Sequence, residues 1–160
     1  MTGLRPVGWV RASRSDAIDD DWDSVTSAVE LDAAQFSPEA LLGIEEFSHV
    51  EIIFTFDQVD ESEIEGGARH PRGNTAWPRV GIFAQRAKGR PNRLGSTTCA
   101  LVAVEGLTLR VAGLDALDGT PVLDVKPYMA EFGPRGPVRQ PEWSHELMRG
   151  YWGPAPTSGK

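Results

Sequence analysis

Cysteine is almost missing from this 160-residue chain: Cys99 stands alone, so no internal disulfide forms and no multi-cysteine metal site exists. The three histidines, His49, His70 and His145, have neither zinc-type spacing nor cysteine partners, so no metal is expected. No run approaches the roughly 18 apolar residues that would span a bilayer. The first fourteen residues lack the apolar segment and cleavage signal of an export address, and the expected location is the cytoplasm. Gly-x-Gly, Gly-Lys-Ser/Thr and Gly-x-Ser-x-Gly do not occur, which removes the commonest dehydrogenase, kinase and hydrolase readings.

Acid is locally absent too. Residues 69–93 hold six Arg and one Lys (Arg69, Arg72, Arg79, Arg86, Lys88, Arg90, Arg93) and no Asp or Glu. All 23 acidic residues lie elsewhere with the other nine basic ones, although the net charge is -7. Such segregation focuses an anionic ligand on one surface and repels it from others. A solvated basic loop with no ligand would read the same way.

What is present is mostly alternation at period two, the mark of half-buried strands. Val7, Trp9 and Arg11 alternate in a first strand, and Val29 and Leu31 mark a second. In a third, Val50, Ile52, Phe54 and Phe56 share one face. A fourth runs through Val80, Ile82 and Ala84, a fifth over 97–104, and a sixth carries Leu107, Leu109 and Val111 after a tight turn at Glu105-Gly106. Helix is sparse: Ser37-Pro38-Glu39 opens one short segment, and 141–151 suits another. Ten of the 12 prolines fall from Pro71 onward, which makes the second half loop-rich. One domain over 1–152 with a flexible tail over 153–160 is expected, built as a mainly β, small antiparallel barrel with few short helices.

Three polar motifs stand out. Arg69-His70-Pro71-Arg72-Gly73-Asn74 holds two guanidinium groups in a stiff turn. Phe83-Ala84-Gln85-Arg86 and Arg90-Pro91-Asn92-Arg93 deliver more arginines beyond a strand. Leu114-Asp115-Ala116-Leu117-Asp118-Gly119-Thr120-Pro121 runs on to Asp124-Val125-Lys126-Pro127-Tyr128. Singly, each suits ion pairs or a plain turn. Together, their opposite signs fit one site for a ligand bearing both charges.

In these motifs, with Leu42-Gly43-Ile44-Glu45-Glu46-Phe47-Ser48-His49 and Arg5-Pro6-Val7-Gly8 before them, the chain resembles the TsaA/TrmO (YaeB-like) family of S-adenosylmethionine-dependent tRNA methyltransferases. The resemblance runs in order to about Tyr128. It implies a dimeric barrel that uses S-adenosyl-L-methionine to methylate nitrogen-6 of N-6-threonylcarbamoyladenosine beside a tRNA anticodon. Carried over by motif, the cofactor contacts are Asp57, Gln58, Arg86, Ser96 and the turn Leu114, Asp115, Ala116, Leu117. Asp118 or Tyr128 is the expected proton acceptor, and Arg69, Arg72, Arg90, Arg93 and Lys126 are the expected substrate contacts. The sequence departs from the family pattern at Asp19-Asp20-Asp21-Trp22-Asp23, where longer relatives carry an Arg-Gln-Pro-Gly-like segment, and at Asp57, where a histidine is common. Trp143 to Trp152 stands where those relatives continue into an extra domain. A methyltransferase with another substrate, or a non-catalytic module that binds the cofactor or RNA, fits the same residues.

Overall fold

The computed structural model describes residues 3–15, 19–23 and 25–153; from 154 onward the expected tail lies outside them. Among these residues eight strands form: β1 (Gly8–Ala12), β2 (Thr26–Leu31), β3 (His49–Thr55), β4 (Ala68–Arg69), β5 (Val80–Gly81), β6 (Leu94–Glu105), β7 (Thr108–Ala112) and β8 (Pro121–Pro127). Six of them close into an antiparallel barrel in the order β1-β2-β7-β6-β3-β8, and β8 pairs back to β1. The expected mainly β barrel with few short helices is what the chain adopts. β4 and β5 make a separate two-stranded sheet. An α-helix, α1 (Glu142–Met148), follows the barrel.

Alternation builds the interior. Val10, Val29, Val50, Ile52, Phe54, Leu109, Val111 and Val122 each expose 1% or less, and every one is an inward position of its strand. Burying a side chain of this kind contributes about 1.5–3 kcal/mol. The phase expected for β3 holds, with Val50, Ile52 and Phe54 inside. In β1 Trp9 and Arg11 face outward and Val10 enters the core. The fourth expected strand shrinks to Val80–Gly81, because Ile82–Ala84 turns as a single 3-10 helix. There Ile82 N donates to Gly67 O at 2.8 Å and Gln85 N to Ile82 O at 3.1 Å. The segment after Ser37 is likewise one 3-10 turn, Pro38–Leu41, followed at Gly43 by a left-handed residue with φ of 87°.

Two bulges shape the wall. Val102 is the extra residue of β6 between Leu101↔Val111 and Ala103↔Arg110, and Leu123 that of β8 between Ile53↔Asp124 and Phe54↔Val122. Bulges bend a strand and raise its twist, which closing six strands requires. The Phe54 ring packs against Gly95, its β6 partner; a Cβ at residue 95 would sit 2.6 Å from that ring and 2.9 Å from Phe56.

Gly95→Ala therefore overpacks the barrel and is expected to destabilise it by about 1–3 kcal/mol. Urea unfolding checks this: the midpoint falls while the slope stays the same.

Candidate functional site

The chain passes from β7 to β8 across the barrel mouth through residues 113–120. Leu114 and Ala116 point into the core, at 0% and 3% exposure. Between them the half-buried Asp115 carboxylate accepts hydrogen bonds on both oxygens, from Thr97 Oγ1 on β6 and from the Tyr151 hydroxyl. Leu117 O accepts from Thr120 Oγ1 at 2.7 Å, which closes the turn. One residue along from Thr97, Ser96 O accepts from Arg86 Nη2 at 2.7 Å, and Ser96 Oγ donates to Glu51 Oε1 at 2.9 Å. Arg86, Ser96 and Asp115 are thus brought together, with Thr97 and Tyr151 added to them.

Burial pushes the Tyr151 phenol above its ordinary range, and the negative charge of Asp115 adds to this, while Arg86 and Arg72 pull the other way. Burial, and then the same carboxylate, push the Cys99 thiol up to about 12. Cys99 is a buried neutral thiol.

The remaining expected residues are spread around this cluster. Asp57 and Gln58 stand exposed after β3. Arg93 pins that turn, donating from Nη1 to Val59 O at 2.7 Å. Arg90 Nη1 donates to Gln85 O at 2.6 Å. Gln85 Nε2 in turn bridges Arg69 O and Val80 O, at 3.1 and 3.0 Å, across the small sheet. Arg72 pairs with Asp20 at 3.1 Å and Asp19 at 3.9 Å, so the acidic segment folds onto the basic one. Lys126 pairs with Asp124 at 3.1 Å on the outside of β8.

Asp118 and Tyr128 do not share a site within one chain. They flank the seven-residue β8, about 20 Å of extended strand. Asp118 Oδ1 accepts from Ala12 N at 3.0 Å beside a cavity of about 360 Å³ that Arg11 and Arg110 also line. Tyr128 N donates to His49 O at 3.0 Å, and its hydroxyl lies against Gly133. A larger cavity of about 530 Å³ opens among Phe36, Leu41, Leu42, Ile44 and Phe47, with Glu46 and Asp124 also in its lining, and none of the expected site residues lines it.

Two groups on Asp115 escaped sequence reasoning. Thr97 carries a signal, since it is polar at an inward position of β6. Tyr151 carries none. Among the described residues no helix is long and apolar enough to cross a membrane, and no group of three or more His, Cys, Asp or Glu is placed to hold a metal.

Comparison with known proteins adds the following. A family model described as the tRNA-methyltransferase O N-terminal domain matches residues 19–133. A mouse tRNA (adenine(37)-N6)-methyltransferase is 43% identical over 97 residues, 60% of this chain and 22% of that protein, so the chain spans about a quarter of the length of the mammalian relatives it matches. A probable S-adenosyl-L-methionine-binding protein of Methanothermobacter thermautotrophicus is 36% identical over 138 residues, 83% of this chain and 94% of that one. The crystal structure of TrmO from Pseudomonas aeruginosa superposes with a TM-score of 0.70 at 30% identity, covering 87% of this chain and 61% of that one.

Cys99 and Tyr151 hold their protons more firmly in the folded chain than in the unfolded one. Above the ordinary thiol value of 9.0 the unfolded state therefore binds fewer protons, and stability falls as the pH rises toward about 12. Urea melts across that range are expected to show the loss, with a shallower slope in Cys99→Ala.

Proposed function

The chain belongs to the tRNA-methyltransferase O N-terminal domain family, and from that premise we propose that it is an S-adenosylmethionine-dependent methyltransferase acting on nitrogen-6 of N-6-threonylcarbamoyladenosine, next to the tRNA anticodon. One observation carries the reading: the turn that the family motif assigns to the cofactor presents an Asp115 carboxylate at the barrel mouth, beside Arg86. The carboxylate suits the cofactor, which offers amino and ribose donors and a positive charge. Arg86 keeps further guanidinium donors for the cofactor's own carboxylate. On this reading Leu114, Ala116 and Leu117 of the turn, and Asp57 and Gln58 beyond β3, supply the remaining cofactor contacts, and Ser96 O holds Arg86 in place. Nearly the whole of the archaeal relative is covered by this chain, and its name, an S-adenosyl-L-methionine-binding protein, supports that cofactor.

When bound, S-adenosylmethionine supplies an electrophilic methyl group on a positively charged sulfur. The acceptor nitrogen carries a carbamoyl group that delocalises its lone pair, so it is a weak nucleophile. The chain's work is to hold donor and acceptor at near-attack distance and to take up the proton released as the new nitrogen–carbon bond forms. Asp118 belongs to the same turn as Asp115 and is the proton acceptor we favour over Tyr128. Arg69, Arg72, Arg90, Arg93 and Lys126 are assigned to the tRNA phosphates and the threonyl carboxylate. The reading carries a homodimer in the cytoplasm, where the substrate is. Leu42 and Phe132, 87% and 83% exposed, are side chains of the kind a subunit contact covers.

Three outcomes test this. Incubated with the chain and labelled cofactor, tRNA bearing the threonylcarbamoyl group is expected to yield a nucleoside one methyl group heavier by mass spectrometry; cofactor binding without any methylated nucleoside would leave a binding module instead. Arg86→Ala is expected to weaken cofactor binding about tenfold or more, the scale of a charged hydrogen bond, and unchanged calorimetric affinity removes Arg86 from the site. The affinity for tRNA is expected to fall steeply and log-linearly with salt, whereas a flat response excludes the arginine surface as the RNA contact.

A further inference from the structure

The stretch from α1 to Trp152 lies beyond the residues matched by the family model, which end at 133, yet it reaches the candidate site. It is anchored on three sides. Trp77 Nε1, in the basic loop, donates to Glu146 Oε2 of α1 at 2.8 Å. Asp21 N donates to Gly150 O at 3.1 Å and Trp22 N to Tyr151 O at 3.0 Å, which ties the segment to the acidic stretch. Trp22 is itself buried at 6%, with the Arg14 guanidinium 4.3 Å over its ring. The third anchor is Tyr151, whose ring packs edge-on against Trp152 at 4.9 Å and whose hydroxyl donates to Asp115 Oδ2.

We propose that Tyr151 is a positioning residue of the cofactor site: with Thr97 it fixes the plane of the Asp115 carboxylate, so that the remaining lone pairs accept the donors of S-adenosylmethionine. This rests on the reading of Asp115 given above. A carboxylate has about four lone-pair sites, and the two hydroxyls occupy one on each oxygen. Both partners are neutral, so they orient the carboxylate without cancelling its charge, as a Lys or Arg there would. That charge stays available for a cationic ligand. The phenol, held above its ordinary ionisation range, remains a donor throughout neutral pH. Because α1 and the acidic segment both grip the backbone around Tyr151, the phenol is delivered by the fold and not by a loose end.

The test is a double-mutant cycle read by calorimetric titration of the full chain with S-adenosylmethionine. Tyr151→Phe is expected to weaken binding about tenfold, the lower end of what a hydrogen bond to a charged group contributes, with little change in melting temperature. In an Asp115→Asn background the same change is expected to weaken binding by no more than about twofold, because the two residues act as one unit. Thr97→Val, which keeps the shape and removes the second hydroxyl, is expected to behave as Tyr151→Phe does, and gives the same information should the Phe variant not fold. Wild-type affinity or tighter binding in Tyr151→Phe overturns the proposal, as does an undiminished tenfold loss in the Asn background; each leaves the reading of the site standing. If the wild-type chain does not bind S-adenosylmethionine at all, that reading fails and the positioning role fails with it.

Discussion

Everything at the barrel mouth depends on the seam where the sheet closes. β1 and β8 share only the Gly8↔Val122 and Trp9↔Pro121 positions, extended by Val10 N to Thr120 O at 2.9 Å and Gly119 N to Val10 O at 2.8 Å. A closed sheet has no unpaired edge among its six strands. Closure also fixes where β8 must begin relative to β7, with β2 and β1 between them on one side of the barrel. The connecting residues 113–120 have to cross the open end, and the apolar interior draws Leu114 and Ala116 down into it. Asp115, between them, is left at the rim, where β6 offers Thr97. The acidic turn therefore sits where it does because the barrel closes, and the proposed cofactor site inherits its position from the hydrophobic core.

Charge around that turn is arranged by two different means. Asp115 is met by neutral hydroxyls, which keep its charge in place. Arg72, by contrast, is met by Asp19 and Asp20, and Lys126 by Asp124. These pairs are partly exposed, and pairs of that kind contribute about 0–1 kcal/mol. On the proposed reading, pairs this weak would exchange readily for a tRNA phosphate. The basic stretch is consequently not one patch: Arg86 faces the acidic turn, Arg90 and Arg93 brace loops, and Arg72 is held by carboxylates.

Legibility in the sequence followed the physics of each element. β3 and β7 showed their phase because one face is wholly apolar and the other mainly polar, Ile53 being the exception on β3. β1 did not, since Trp9 looks more like a core residue than Val10 does, although it is Val10 that is fully buried. β8 was hidden by prolines at both of its ends and by Asp124 and Lys126 in its middle; β4 is too short to show any period, and the alternation read through Val80, Ile82 and Ala84 outruns β5, which ends at Gly81. Of the site, Arg86, Ser96 and Asp115 were reached through their motifs, and the opposite signs of the two loops were visible from composition. Tyr151 was not, because its partner lies 36 residues away and nothing in Gly-Tyr-Trp marks a tail residue as a donor. The fold of the acidic segment onto Arg72 was equally silent, since ion pairs between distant segments leave no local pattern.

Arg90 and Arg93 each hold a neighbouring carbonyl with one guanidinium nitrogen, and Arg93 does so from a left-handed backbone with φ of 50°. A free surface arginine gives up roughly 0.5–1.5 kcal/mol of rotamer freedom when a partner immobilises it. Here that entropy has already been lost during folding, and the outer nitrogens of each fork stay unengaged by those carbonyls. On the proposed reading, a polyanion arriving at this rim would meet cations that are already still, and the spacing of the forks would then bear on which anion is held as well as total charge does.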